Sequence, residues 1–365
     1  MSTPLCCCEY IDLNNERNHI LGCCCNCVEL DLCFDRLITC RPLSDSLTRA
    51  MATANDRLRF PWRGGAKHFT IDAVVPIFLL PILIFTAAQG VWISVVVFTF
   101  LPLFLMYLHF ISMSCNPQSV FFFAWTIMSV VTVFVIFEFI GVRMLEIRDD
   151  ENIIFTFLTV SILFCLHKVK QKSYLSLVNI INELPTDNSL GKMNVLCTVC
   201  DMKVPARAFH CHICNACILK RDQHCIWLNC CIGQNNHRWY LLLLFASISQ
   251  LVFCSNLILT TACHPFKVWG TIMLPDDCSD VYFDSMYAVC FVTALYCLEG
   301  SLFLASLLIH ELWLISLGMT GHEWRNRGKW SRCCGFFSSR PYSKGFLQNW
   351  LRYCKGNSKF MCSVC

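Results

Sequence analysis

A chain of 365 residues that is 56% hydrophobic and only 15% charged, with a mean hydropathy of +0.52, lies outside the range of soluble globular proteins and reads as a membrane protein. The net charge of +4 is small, and its distribution carries no nucleic-acid footprint, so no nucleic-acid partner is expected. Twenty-nine cysteines would suit a secreted disulfide scaffold, but the length, the apolar runs and the lack of a cleavable signal oppose one.

Residues 1–68 contain no long apolar run and are rich in cysteine: Cys6-Cys7-Cys8, Cys23-Cys24-Cys25, Cys27, Cys33 and Cys40, with His19. A further metal site, a cluster of acylated cysteines at the membrane face and a loose tail of reduced thiols all fit this composition. Arg57, Arg59, Arg63 and Lys67 then precede a series of apolar stretches. Runs of about 20 residues cross a hydrocarbon core near 30 Å, and such runs lie at 69–88, 91–113, 119–140, 152–168, 239–262 and 286–313. The expected fold is therefore an all-α integral membrane protein of about six transmembrane helices.

Basic residues set the orientation. Cations before the first span, Lys168, Lys170 and Lys172 after the fourth, and Arg325, Arg327, Lys329 and Arg332 after the sixth mark one face, expected to be cytosolic. Glu146, Asp149, Asp150 and Glu151 in one loop, and Asp276, Asp277, Asp280 and Asp284 in another, mark the lumenal or exoplasmic face. Both termini and the segment between spans four and five then lie in the cytosol. Within the spans, Glu138, Glu299 and His310 stand out because ionisable groups in hydrocarbon are costly; Glu138 and His310 lie near span ends and are expected to reach an interface, while for the deeper Glu299 a packing role fits better than an acyl-chain contact. The resulting divisions are 1–68, 69–168, 169–238, 239–313 and 314–365, the third bounded by the turn-rich stretch from Gln171 to Asn194.

That third segment concentrates soft ligands. Cys197 and Cys200, then His210, Cys211, Cys214 and Cys217, then His224, Cys225 and Cys231 provide thiolate and imidazole in close pairs. A tetrahedral zinc needs such pairs, each placing two ligands on one tight turn. A reducing cytosol also favours zinc over disulfides here.

The order Cys-x-x-Cys, Lys203-Val204-Pro205-Ala206-Arg207, His210-Cys211, Cys214, Cys217, Asp222-x-His224-Cys225, Trp227, Cys231-Ile232-Gly233 and Asn236 resembles the cysteine-rich domain of the DHHC protein S-acyltransferases. The opening Pro4-Leu5-Cys6-Cys7-Cys8-Glu9-Tyr10-Ile11-Asp12 resembles the start of one mammalian member. The resemblance implies two structural zinc ions, one on Cys197, Cys200, His210 and Cys217 and the other on Cys211, Cys214, His224 and Cys231. It implies that Cys225 is the nucleophile, taking an acyl chain from palmitoyl-CoA and passing it to thiols of cytosolic or membrane proteins, with Asp222 as the second catalytic residue. A covalent acyl-enzyme divides such a transfer into two similar thioester exchanges. Most relatives reside in the endoplasmic reticulum or Golgi, and the plasma membrane is also compatible.

The family's first histidine is replaced by Gln223. Glutamine cannot take up a proton, and general-base help is worth about 10²- to 10⁴-fold, so slowed transfer is expected. The alternative is a zinc-containing membrane scaffold that binds client proteins without turnover. Lys220 and Arg221 either lower the Cys225 thiol pKa, as cationic neighbours do, or form a solvated basic corner. The family's Thr-Thr-x-Glu is partly matched by Thr320-Gly321-His322-Glu323, and the missing second threonine is expected to weaken the support of Asp222. In the aromatic and basic tail, Tyr342 to Trp350 resembles a family motif that packs back on the catalytic domain, while Cys333-Cys334 are acylation candidates.

Overall fold

The computed structural model describes residues 70–115, 119–178 apart from 146, 195–326 apart from 206 and 269–271, and 342–355, with scattered residues between 6 and 68. The cysteines from 23 to 40, the Cys333-Cys334 pair and linker residues 179–194 lie outside these. Two compact units divide the chain, Met1–Leu79 and Leu80–Cys365. In the first, β1 (Glu9–Ile11) pairs with β2 (Arg17–His19) and β3 (Arg59–Phe60) with β4 (Lys67–His68), both antiparallel. The Ala66 N–H donates to the Glu9 carbonyl, and the Arg59 guanidinium lies 4.2 Å over the buried Tyr10 ring, so the two hairpins share a small core.

Helices dominate the rest. α1 (Ile71–Ala87) is followed by α2 (Val91–Cys115), α3 (Phe121–Ile136), α4 (Asp149–Val178), α5 (His237–Ala262) and α6 (Ser285–Leu317). α3 continues through a π-helical turn, Phe137–Gly141, to Met144. Five of these helices, α2 to α6, are long and apolar enough to cross a membrane. α1 is apolar but has 17 residues, which at 1.5 Å per residue is about 26 Å.

α4 runs past the expected end of its span at residue 168, carrying Lys168, Lys170 and Lys172 on a helix rather than in a loop. Their ammonium groups lie over aromatic rings, Lys170 3.5 Å from the Phe123 centroid and Lys172 5.0 Å from that of Trp239. Aliphatic stems buried along apolar surface with the charge on a ring face allow the helix to continue beyond the hydrocarbon. In the π-helical turn, Glu138 accepts hydrogen bonds from Asn152 Nδ2 and Thr156 Oγ1, so its carboxylate is satisfied between helices.

The cysteine-rich segment departs from the all-α expectation: it is three antiparallel hairpins. β5 (Val195–Cys197) pairs with β6 (Met202–Val204), β7 (Ala208–Cys211) with β8 (Ala216–Leu219), and β9 (Gln223–Cys225) with β10 (Cys230–Ile232). The residues that end their loops, Asp201, Asn215 and Asn229, have φ of 51°, 50° and 45°. Asp and Asn tolerate this left-handed conformation better than other side chains with a Cβ. Between α5 and α6 a further hairpin, β11 (His264–Val268) with β12 (Ile272–Asp277), is closed by a disulfide between Cys263 and Cys278.

α6 ends at Gly318, whose φ of 70° is the left-handed cap that glycine provides most readily. α7 (Gly321–Arg325) follows, opened by a capping box in which Thr320 and Glu323 bond each other's backbone N–H. α8 (Phe346–Lys355) is tied back by Asn349, which donates to the Ser316 carbonyl at 3.0 Å, and by Trp350 Nε1, which donates to Ser316 Oγ at 3.1 Å. The tail motif thus packs onto the end of α6, and Phe346, Leu347 and Leu351 remain exposed.

Candidate active site and metal centres

The three hairpins are one unit repeated. Cys197, Cys211 and Cys225 recur every 14 residues, each as the last residue of a first strand, and Asp201, Asn215 and Asn229 recur with them. In the first two hairpins the loop supplies a second cysteine, Cys200 or Cys214, and the following hairpin supplies a cross-strand His–Cys pair. The pair His210 and Cys217 completes the first group of four donors, and His224 and Cys231 the second.

All eight metal-ligating residues expected from the sequence therefore come together in the expected fours. Cys200 Sγ lies 3.2 Å from His210 Nδ1 and 3.8 Å from Cys217 Sγ; Cys214 Sγ lies 3.3 Å from His224 Nδ1 and 3.5 Å from Cys231 Sγ. Donors around one tetrahedral zinc, with bonds near 2.3 Å to sulfur and 2.0 Å to nitrogen, stand about 3.3–3.8 Å apart. Both groups fit, and an ion in each would lock successive hairpins together.

The third hairpin has no successor to complete it. Leu228 stands where Cys200 and Cys214 stand in the others, so Cys225 belongs to neither group of donors. Its sulfur keeps the bonding of a metal-binding turn even so. The backbone N–H groups of Leu228 and Trp227 point at Cys225 as those of Cys200 and Val199 point at Cys197. Burial pushes the Cys225 thiol up to about 11 despite these donors, and Glu311 and Asp222 add to the rise. Both of these acids are negative, and of the two readings of Lys220 and Arg221 the lowering of the Cys225 thiol is the one this arrangement opposes. Arg221 donates to the His210 carbonyl at 2.7 Å.

The hairpin docks on the helix ends through several anchors. The Trp227 carbonyl accepts from Thr126 Oγ1 at 3.1 Å, and the Trp227 ring packs on Phe122 at 4.7 Å. Asn236, fully buried, donates to the carbonyls of Cys231 and Val169, while its Oδ1 accepts from the Gly233 N–H. Gly233 lets the chain pass close against β8, because a Cβ there would come 2.6 Å from Ile218.

Asp222, 3% exposed, is held differently from the sequence expectation. Its Oδ1 accepts the backbone N–H of Gly321, and its carbonyl accepts from Arg325. A Cβ at residue 321 would stand 2.9 and 3.1 Å from the two carboxylate oxygens. Glycine therefore brings the α7 backbone into contact with the aspartate rather than removing support from it. Burial, then Glu311, pushes the Asp222 carboxyl up, opposed by His237, the Gly321 N–H and Arg325.

Two residues that sequence reasoning passed over complete the surroundings. Glu311, 2% exposed, lies 3.5 Å from Gln223 Nε2 and pairs with His237 Nε2 at 3.3 Å. His237 Nδ1 reaches the Tyr353 hydroxyl at 2.9 Å. The signal for Glu311 was available, since it is a carboxylate inside an apolar run. Arg207 and Glu323, joined at 2.6 and 2.8 Å, brace the first turn of α7 from the hairpin side.

A family model described as DHHC palmitoyltransferase matches residues 191–328. Palmitoyltransferase ZDHHC23-B of Danio rerio is 30% identical over 96% of this chain and 92% of its own length. Palmitoyltransferase ZDHHC23 of Mus musculus is 29% identical over 96% of this chain and 93% of its own length, and the Homo sapiens protein of that name is 29% identical over 88% and 89%.

Proposed function

The chain belongs to the DHHC palmitoyltransferase family and is a protein S-palmitoyltransferase, and we propose that it works through an acyl-enzyme on Cys225. The Cys225 thiolate attacks the thioester carbonyl of palmitoyl-CoA, a C–S bond to Cys225 forms, the C–S bond to CoA breaks, and CoA leaves as the thiolate. A client thiolate then attacks the enzyme thioester and Cys225 is released. The carrying observation is that Cys225 repeats the position of Cys197 and Cys211 in a hairpin without a completed donor set, with backbone N–H groups turned to its sulfur. Asp222 and Glu311 bound this site from the α7 and α6 sides, and Gln223 offers an amide in place of a base. The two groups of four donors hold structural zinc.

The membrane arrangement follows the same reading. α5 is a single crossing, so the cysteine-rich hairpins and the disulfide-closed hairpin lie on opposite sides of the membrane. A disulfide suits the oxidising side and free thiols the reducing one, which supports a cytosolic active site. α1 serves as a sixth crossing and brings both termini to the cytosol. Its length of about 26 Å matches the roughly 27 Å core of an endoplasmic reticulum bilayer, and we place the protein in the endoplasmic reticulum or Golgi.

The test is acyl-enzyme formation. Zinc-replete protein in detergent is mixed with labelled palmitoyl-CoA, and the hydroxylamine-sensitive label of the native chain is compared with that of Cys225→Ala. The expected result is label lost in a variant that keeps two zinc ions. Label that persists equally in the variant, or is absent from both, overturns the assignment.

A further inference from the structure

Cys225 is not the sole thiol of its hairpin. The register of β9 and β10 pairs Cys225 directly with Cys230, and directly opposed residues of an antiparallel pair project from the same face with Cβ atoms about 4.5–5.5 Å apart. Both are free thiols, and Cys230 belongs to neither group of metal donors. The other two hairpins place Met202 and Ala216 at this position, so the opposed thiol is particular to the third.

The surroundings of the two sulfurs differ. Cys230 is 7% exposed and belongs to a core cluster with Val169, Ile232 and Tyr240, against which the less buried Cys225 packs.

We propose that Cys230 is a second acyl site, loaded by exchange from Cys225. This rests on the reading of Cys225 as the nucleophile. The Cys230 sulfur attacks the thioester carbonyl on Cys225, a C–S bond to Cys230 forms, the C–S bond to Cys225 breaks, and the Cys230 proton passes to the departing sulfur. One thioester and one thiol stand on each side, so no oxidant or co-reactant is needed. This is the same exchange that a client thiol performs, with the client's approach replaced by a neighbour held in position. Such proximity is worth effective concentrations of about 10⁵ M or more when the atoms are well placed. Acyl groups parked on Cys230 are kept from water by the cluster that buries it, and return through Cys225 when a client thiol arrives.

The experiment uses the full chain in detergent with both zinc sites filled. Labelled palmitoyl-CoA is added without client, the reaction is stopped in acid to halt further exchange, and the label is placed by peptide fragmentation between residues 225 and 230. The expected result is label on both cysteines of the native chain and none on either in Cys225→Ala. Cys230→Ala should keep label on Cys225 and lose it to hydrolysis faster than the native chain. Label confined to Cys225 in the native chain overturns the exchange while leaving Cys225 as nucleophile. Label on Cys230 in Cys225→Ala overturns it as well, since Cys230 then loads directly. No label in any chain removes the Cys225 reading and the exchange with it.

Discussion

Cys211 and Cys225 hold the same place in successive hairpins, 14 residues apart, yet one stands among four donors and the other among backbone N–H groups. The turn is the same: a cysteine at the end of a strand, amides folded back over its sulfur, and an Asn in the left-handed conformation to close the loop. What differs is the next hairpin. A cross-strand His–Cys pair follows the first two turns and an α-helix follows the third. A metal-binding turn without its metal leaves amides folded over a free thiol, so on the proposed reading of Cys225 the repeat supplies both the scaffold and the nucleophile.

The widest separation between the two kinds of turn should appear in folding. Cys214→Ser, or removal of metal by a chelator, takes away an ion of a class that contributes about 10–16 kcal/mol to small zinc domains. The hairpins should lose their structure, read as a lowered zinc count and loss of the cooperative melt. Cys225→Ala should keep two zinc ions and shift stability by about 1 kcal/mol or less. Equal damage from both would mean that the third turn is also structural.

Chemistry gives the next largest effect. A histidine placed by Gln223→His would face Glu311, where the glutamine amide now lies, and could accept the thiol proton that glutamine cannot. Acyl-enzyme formation should rise by about 10²- to 10⁴-fold, measured as the single-turnover rate with labelled palmitoyl-CoA. An unchanged rate would show that proton removal does not limit the native chain.

A pH profile sharpens the same point. The Cys225 thiol is pushed up to about 11, so its thiolate is scarce at neutral pH. A raised thiol pKa makes the active fraction grow about tenfold for each pH unit below that value. Acylation by the native chain should therefore climb from pH 7 to 9 without levelling, whereas Gln223→His should flatten the climb. A plateau near pH 7 in the native chain would place the thiol pKa far lower.

The legible part of this molecule was the part written in local spacing. Close Cys and His pairs announced tetrahedral zinc, the family resemblance divided the donors into two fours, and the apolar runs announced α2 to α6 with soft ends. Strands of three or four residues are too short for a period of two to stand out, so the hairpins were hidden, although Cys-x-x-Cys-Asp, Cys-x-x-Cys-Asn and Cys-x-x-Leu-Asn spelled out their repeat. α4 was read as ending at residue 168, and the aromatic partners of Lys170 and Lys172 lie on other helices, out of reach of local spacing. Glu311 meets His237 across 74 residues, a contact that no spacing rule reaches.

Gly321 was misread for a related reason, and it carries the smallest of these effects. Against a threonine expectation a glycine looks like a lost hydroxyl, but here the backbone N–H itself supports Asp222, and a Cβ would press on both carboxylate oxygens. Overpacking of this kind costs about 1–3 kcal/mol. Gly321→Ala should therefore lower the melting temperature modestly and slow acyl-enzyme formation by pushing Asp222 away from its donor. If the substitution leaves both unchanged, α7 can retreat without loss, and the aspartate is held by the hairpin side alone, through the Ile232 carbonyl that its own backbone N–H engages. Because residue 321 lies outside all three turns, either result leaves the zinc count at two and tests only how the unfilled turn is held in place.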